Sequence, residues 1–137
     1  MKDSLKPGLR HQSSLLIGED LIVPQVSPHL APFSEMPPIF ATAYMVAFIE
    51  ATCMECLVGH LDEDEKTVGI HIDVSHSAAT PVGMQATVDV ELIEVNKRIL
   101  TFKVKAVDEV DTIGEGTHTR AIIYPEKFMA ALANKGS

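Results

Sequence analysis

The stretch YMVAFIEATCMEC, residues 44–56, decides how the rest of the chain must be arranged. Its apolar residues continue around a helix rather than along one stripe, which marks a helix meant for burial. Glu50 interrupts it. One turn before Glu50 stand Val46 and Ala47, and one turn after stand Cys53 and Met54. None of these neighbours can pair with a carboxylate. Glu55, Thr52, Ala51 and Gly59 supply the only wet stripe, and Glu50 lies about 140° of helix rotation away from Glu55.

The helix is expected from about Ala41 to His60. Pro37 and Pro38 stop anything helical before it, and Gly59 lies near its end. Upstream, Pro24, Pro28, Pro32, Pro37 and Pro38 rule out regular structure over about 24–38. A segment of that kind reads as an ordered loop, a lid or a binding loop. HQSSLLIGEDLIV, 11–23, contains a short strand. The acidic run Asp62 to Glu65 reads as a solvated turn.

After Val68 the period changes to two. In GIHIDVSHSAATP, 69–81, Ile70, Ile72, Val74, His76 and Ala78 share one face of a strand. In MQATVDVELIEV, 84–95, Ala86, Val88, Val90 and Leu92 alternate with polar residues. Beyond a turn at Asn96–Lys97, Leu100, Phe102, Val104 and Ala106 do the same. TIGEGTHTRAIIY, 112–124, is the last strand. Tight turns make such strands antiparallel, and clean alternation leaves one dry face. An α+β fold follows: a hotdog, with a five-stranded antiparallel sheet wrapped around one long apolar helix. The chain's 137 residues read as one domain. One small sheet does not cover so apolar a helix, so a homodimer is expected.

The net charge of -8 repels phosphate backbones and anionic lipid. Nucleic acid and membrane surfaces are therefore excluded as partners. No apolar leader precedes residue 14, and a cytoplasmic location is the default. Cys53 and Cys56 spell C-x-x-C inside the helix, where they read as packing. No zinc spacing occurs, so neither a metal nor a cofactor is expected.

Three polar residues occupy positions where the pattern asks for apolar ones or where chemistry can start: Glu50, His76 and Thr42. A carboxylate and an imidazole form an acid–base pair. Thr42, at the helix start, reads locally as an N-cap. Arg120 and His118 share one face of the last strand, where Gly114 and Gly116 mark close approach of another chain or ligand. Taken alone, Arg120 is equally an exposed edge charge. Lys97, Arg98, Lys103 and Lys105 cluster on one hairpin, as a solvated face or a dock for an anionic cofactor tail.

PPIFATAYMVAFIEATCMECL (37–57), VGIHIDVSHSAATPVG (68–83) and VDTIGEGTHTRAIIYPEKF (110–128) closely resemble the fluoroacetyl-CoA thioesterase family of hotdog proteins. The resemblance runs from about residue 30 to 128. It implies hydrolysis of a short acyl-CoA at a dimer interface, with Thr42, Glu50 and His76 catalytic. The Gly69 backbone and Arg120 fall at substrate contacts. Phe33 matches the family's lid, but Met36 stands where a second lid phenylalanine is expected. A broader short-acyl pocket follows from that difference. A hotdog hydratase-dehydratase and a non-catalytic acyl-CoA binding module are the competing readings.

Overall fold

A computed structural model describes residues 1–136. The elements are β1 (Arg10–Leu16), α1 (Thr42–Cys56), β2 (Lys66–Val74), β3 (Gln85–Asn96), β4 (Ile99–Val107), β5 (Thr112–Ile123) and α2 (Pro125–Gly136). The strands form one antiparallel sheet in the order β1-β3-β4-β5-β2. Its concave face holds α1. The alternation of β3 and β4 places Ala86, Val88, Val90, Leu92, Leu100, Phe102, Val104 and Ala106 inward, all buried. Met45, Phe48, Ile49, Cys53 and Cys56 of α1 join them in one core. β1 is the polar wall of this cradle: His11 and Ser13 reach Glu55 of α1 at 3.3 and 3.2 Å.

Two glycines set how the segment carrying His76 travels. β2 ends at Val74, but the chain keeps following β5. Ser75 N–H donates to the Glu115 carbonyl (3.0 Å) and Ser77 N–H to that of Ile113 (2.7 Å). A Cβ on Gly114 would strike the Ser75 carbonyl, and one on Gly116 the Asp73 carbonyl. The glycines thus let two backbones pass where no side chain fits. Phe40 N–H then donates to the Thr80 carbonyl at 2.9 Å, tying the end of this segment to the start of α1.

Several expectations are corrected. α1 starts at Thr42 and stops at Cys56, not near residue 60. Gly59 follows in a left-handed conformation (φ 87°), a common way for a chain to leave a helix. The lid is not free of regular structure, because 3-10 turns form at Val23–Gln25 and Ala31–Glu35. Their prolines sit at turn starts, where a missing N–H costs nothing. α2 was not anticipated, although Pro125 at its start, Glu126 in its first turn and Lys135 in its last are ordinary helix signals. Thr52 is buried rather than wet; its hydroxyl donates to the Phe48 carbonyl at 2.8 Å. The acidic run is not wholly solvated either. Glu65 is buried and accepts the Asp62 N–H at 2.8 Å.

The strand face carrying Ile70 and Ile72 is also not buried in one chain; those side chains are 51% and 41% exposed. Ala43, Ala47, Ala51 and Met54 of α1 are exposed as well, as is Val58 in the turn that follows it. An apolar strip therefore remains uncovered along the outer side of α1 and the free edge at β2. No helix among the described residues is long and apolar enough to cross a membrane.

Gly116→Ala is expected to destabilise the fold by at least ~2 kcal/mol, several degrees of melting temperature, because the obstacle is backbone and cannot turn aside. Thermal unfolding followed by circular dichroism measures it; an unchanged midpoint would refute the close approach.

Candidate active site

The start of α1 and the segment after β2 meet at one pair of side chains. Thr42 is not the N-cap. Ala41 holds that place with extended backbone and no side-chain bond, and its carbonyl accepts the Met45 N–H at 2.9 Å. The Thr42 hydroxyl is therefore free of capping duty, and its Oγ1 lies 2.7 Å from His76 Nδ1. The imidazole stands edge-on to Phe40, with centroids 6.4 Å apart. Its Nε2 is buried and has no hydrogen-bond partner among the described residues. Burial also holds the His76 pKa below its ordinary value. Thr42 and His76 line an apolar cleft of about 510 Å³, together with Phe33 and Met36. An apolar cleft with a few convergent polar groups is the usual form of a small-molecule site.

Glu50 belongs to a second cluster. It is neither unpaired nor fully buried: its side chain is 39% exposed, and its Oε2 accepts from Arg120 Nη1 at 2.9 Å. Arg120 is not an exposed edge charge. Its side chain is 3% exposed. Its Nε donates to Thr67 Oγ1 and its Nη2 to the Thr67 carbonyl, both at 2.9 Å. Nη1 also meets His118 Nε2 at 3.1 Å, and His118 Nδ1 lies 2.8 Å from the His71 carbonyl. Gly69 leaves the space that Glu50 fills, because a Cβ there would sit 2.6 Å from Glu50 Oε2. Glu50, Gly69 and His118 line a smaller cleft of about 390 Å³.

One chain thus brings together Thr42, His76, Phe33 and Met36, and separately Glu50, Gly69 and Arg120. Thr42 and Glu50 are eight residues apart on the same helix, ~12 Å along its axis. A single chain does not join the two groups. Thr67 and His118 complete the second cluster and were not singled out as site residues. The strand face that His118 shares with Arg120 is the one visible signal for His118, and Thr67 carries none.

Other sequence features are absorbed by the fold. Lys103 lies opposite Glu91 and Thr117, and Lys105 opposite Asp89 and Glu115. Arg10 adds an ion pair to Glu91 at 2.9 Å. The strand lysines therefore sit in a face of alternating charge, not a basic dock. Cys53 and Cys56 are free and buried, and burial pushes the Cys53 thiol up to about 12. Such a thiol is unreactive.

Comparison with known proteins covers nearly the whole chain. Residues 24–126 match the family of fluoroacetyl-CoA-specific thioesterases. The fluoroacetyl-CoA thioesterase of Streptantibioticus cattleyicolor is 39% identical over 135 residues, covering 98% of this chain and 97% of that protein. A crystal structure of a phenylalanine-to-alanine variant of a fluoroacetyl-CoA-specific thioesterase superposes with a TM-score of 0.93. It is 39% identical and covers 98% of this chain and 99% of its own. A threonine-to-alanine variant in complex with fluoroacetate gives 0.91, at 37% identity over 96% and 98% of the two chains. A Thermus thermophilus protein of the thioesterase superfamily, 21% identical, shares the fold with a TM-score of 0.85 over 98% and 95% of the two chains. On the sequence match and the shared hotdog architecture together, this chain belongs to the fluoroacetyl-CoA-specific thioesterase family.

Proposed function

We propose that the chain hydrolyses a short-chain acyl-CoA to the free acid and CoA, in a site completed by a second copy of itself. The observation that carries this reading is the 2.7 Å contact between Thr42 Oγ1 and His76 Nδ1 at the floor of an apolar cleft. A hydroxyl held on an imidazole is the signature of an activated nucleophile. The acyl-CoA relatives support the substrate class, since one structure of the fluoroacetyl-CoA-specific thioesterase holds fluoroacetate and CoA and another acetyl-CoA.

In the proposed reaction Thr42 Oγ1, or a water it orients, attacks the thioester carbonyl while its proton passes to His76. Backbone N–H groups in the first turn of α1 have no intrahelical acceptor, and these or the backbone at Gly69 receive the oxyanion. Collapse expels the CoA thiolate, which takes the proton back from His76. Where Thr42 is the nucleophile, Glu50 orients a water that attacks the acyl-Thr42 ester, and the water's proton passes through His76 to Thr42 Oγ1 as that ester bond breaks and the acid leaves. Where water attacks directly, Glu50 orients that water and no ester forms. Arg120 acts in this scheme by holding Glu50, to which its Nη1 donates at 2.9 Å. Side chains and water carry every step of this scheme, without a cofactor.

The second copy answers the ~12 Å gap between Thr42 and Glu50. In a twofold dimer residue i of one copy meets residue j of the other, and the reverse. An axis passing near Val46, midway between positions 42 and 50, would set Thr42 of one copy against Glu50 of its partner. The exposed small residues Ala43, Ala47 and Ala51 allow such an approach of two helices. The free edge at β2, with exposed Ile70 and Ile72, would be covered by the same contact. The two free cysteines fit a reducing compartment, and the proposed location is the cytoplasm.

Thr42→Ala, His76→Ala and Glu50→Gln are each expected to lower kcat by at least ~10²-fold, read by thiol release, while the protein stays folded and dimeric. Near-normal turnover in any of them removes that residue from the scheme. Thiol release also excludes a hydratase, which frees no CoA. Co-refolding Thr42→Ala with Glu50→Gln is expected to restore about a quarter of wild-type activity, because half of the dimers regain one intact site. A mixture as inactive as its parents would show that both residues work within one chain. Because burial lowers the His76 pKa, the acid limb of kcat/KM is expected below pH 6.5, its ordinary value. A limb centred above pH 6.5 contradicts the proposed base.

Met36 is flexible and half-exposed where it closes the lid. The wild type is expected to turn over acetyl-, propionyl- and butyryl-CoA within about tenfold of fluoroacetyl-CoA, and Met36→Phe to narrow that range. A strong fluoroacetyl preference in the wild type would overturn the broader pocket.

A further inference from the structure

His118 is the most deeply buried titratable side chain of the second cluster, and the reaction scheme above gives it no task. Its hydrogen bonds nevertheless have only one consistent polarity. A carbonyl oxygen cannot donate, so the 2.8 Å contact with His71 requires a proton on His118 Nδ1. A guanidinium cannot accept, so the 3.1 Å contact with Arg120 Nη1 requires a bare Nε2. The ring is thereby fixed as the neutral Nδ1–H tautomer. Burial works in the same direction, lowering its pKa. The charged or titratable groups around the ring are Arg120 on its own strand, His71 on β2 and Glu50 on α1. On β4 it meets the apolar Phe102.

The consequence lies at Arg120. Nε and Nη2 are anchored on Thr67 and Nη1 carries Glu50. A planar guanidinium held by one edge still pivots about that edge. The Nε2 lone pair of His118 is the contact that stops the pivot on the Glu50 side. Glu50 has no other side-chain hydrogen bond in this cluster to hold it, and it is 39% exposed.

We propose that His118 is a positioning residue for the hydrolysis: as a neutral acceptor it locks the Arg120 guanidinium and, through it, aims the Glu50 carboxylate past Gly69. The inference rests on the proposed role of Glu50 and adds a residue and a required tautomer to it.

Two substitutions separate the two ends of the ring. His118→Asn keeps a donor for the His71 carbonyl and removes the acceptor for Arg120. His118→Gln supplies an acceptor near the Nε2 position. His118→Asn is expected to lower kcat ~10–10²-fold with little change in KM, the effect of a misaimed group. His118→Gln is expected to stay within about threefold of wild type. In a Glu50→Gln background His118→Asn is expected to add no further loss, since its effect runs through Glu50.

A multiplicative loss in the double variant, or wild-type kcat in His118→Asn, overturns the proposal while leaving the Glu50 assignment intact. Full activity of Glu50→Gln alone overturns the Glu50 assignment instead. A further measurement needs no variant. Nitrogen-15 NMR of the wild-type protein at neutral pH is expected to show His118 as the neutral Nδ1–H tautomer, and an imidazolium or an Nε2–H ring there overturns the proposal even if no variant folds.

Discussion

The guanidinium of Arg120 is the constraint on which this molecule's polar architecture turns. A cation with 3% of its side chain exposed must find acceptors in fixed directions. It finds them on three elements at once: Thr67 on β2, Glu50 on α1 and His118 beside it on β5. The fork therefore ties the edge strand and the central helix to the strand between them and the rest of the sheet. It also explains Gly69. The carboxylate that Arg120 draws in fills the space a Cβ would need. An acidic residue that looks misplaced on its own helix is thus the partner of an arginine seventy positions later.

The second polar pair depends on backbone geometry rather than charge. His76 reaches Thr42 because the chain beyond β2 clings to β5, and it can do so because positions 114 and 116 carry no side chain. The helix cap then falls on Ala41, which leaves the Thr42 hydroxyl available. Moving the cap by one residue would spend that hydroxyl on a backbone N–H and leave His76 without its partner. Local helix geometry and long-range strand packing converge on a contact of 2.7 Å.

These two arrangements face outward together with an apolar strip. A chain that leaves Ile70, Ile72, Met54 and Val58 uncovered beside its polar clusters has an incomplete surface and, on the proposed reading, an incomplete site. The hydrophobic need for a partner and the chemical need for a carboxylate near Thr42 would then be met by one contact. Dimer assembly and activity would be inseparable in such an enzyme.

The sequence by itself determined the sheet and the helix inside it. Alternation in β3 and β4 and the unbroken apolar character of α1 are local signals, and the burial of Val88, Leu92, Phe102 and Val104 follows them directly. It also singled out Thr42, Glu50 and His76 as misfits, and its motifs carried the family. What it left open were matters of distance. Thr42 read as a cap because capping is judged from neighbours. Arg120 read equally as an edge charge or, through the family resemblance, as a substrate contact, because nothing adjacent reveals burial. Glu50 read as unpaired because its partner lies on another strand. His118 stayed in the background because its meaning is the direction of two hydrogen bonds. Even His76 was placed on an inward strand face, whereas it stands beyond the end of β2. Only the tertiary structure decided these, since hydrogen-bond polarity and ion pairing depend on which backbones come within 3 Å, and residue spacing along a chain does not carry that information.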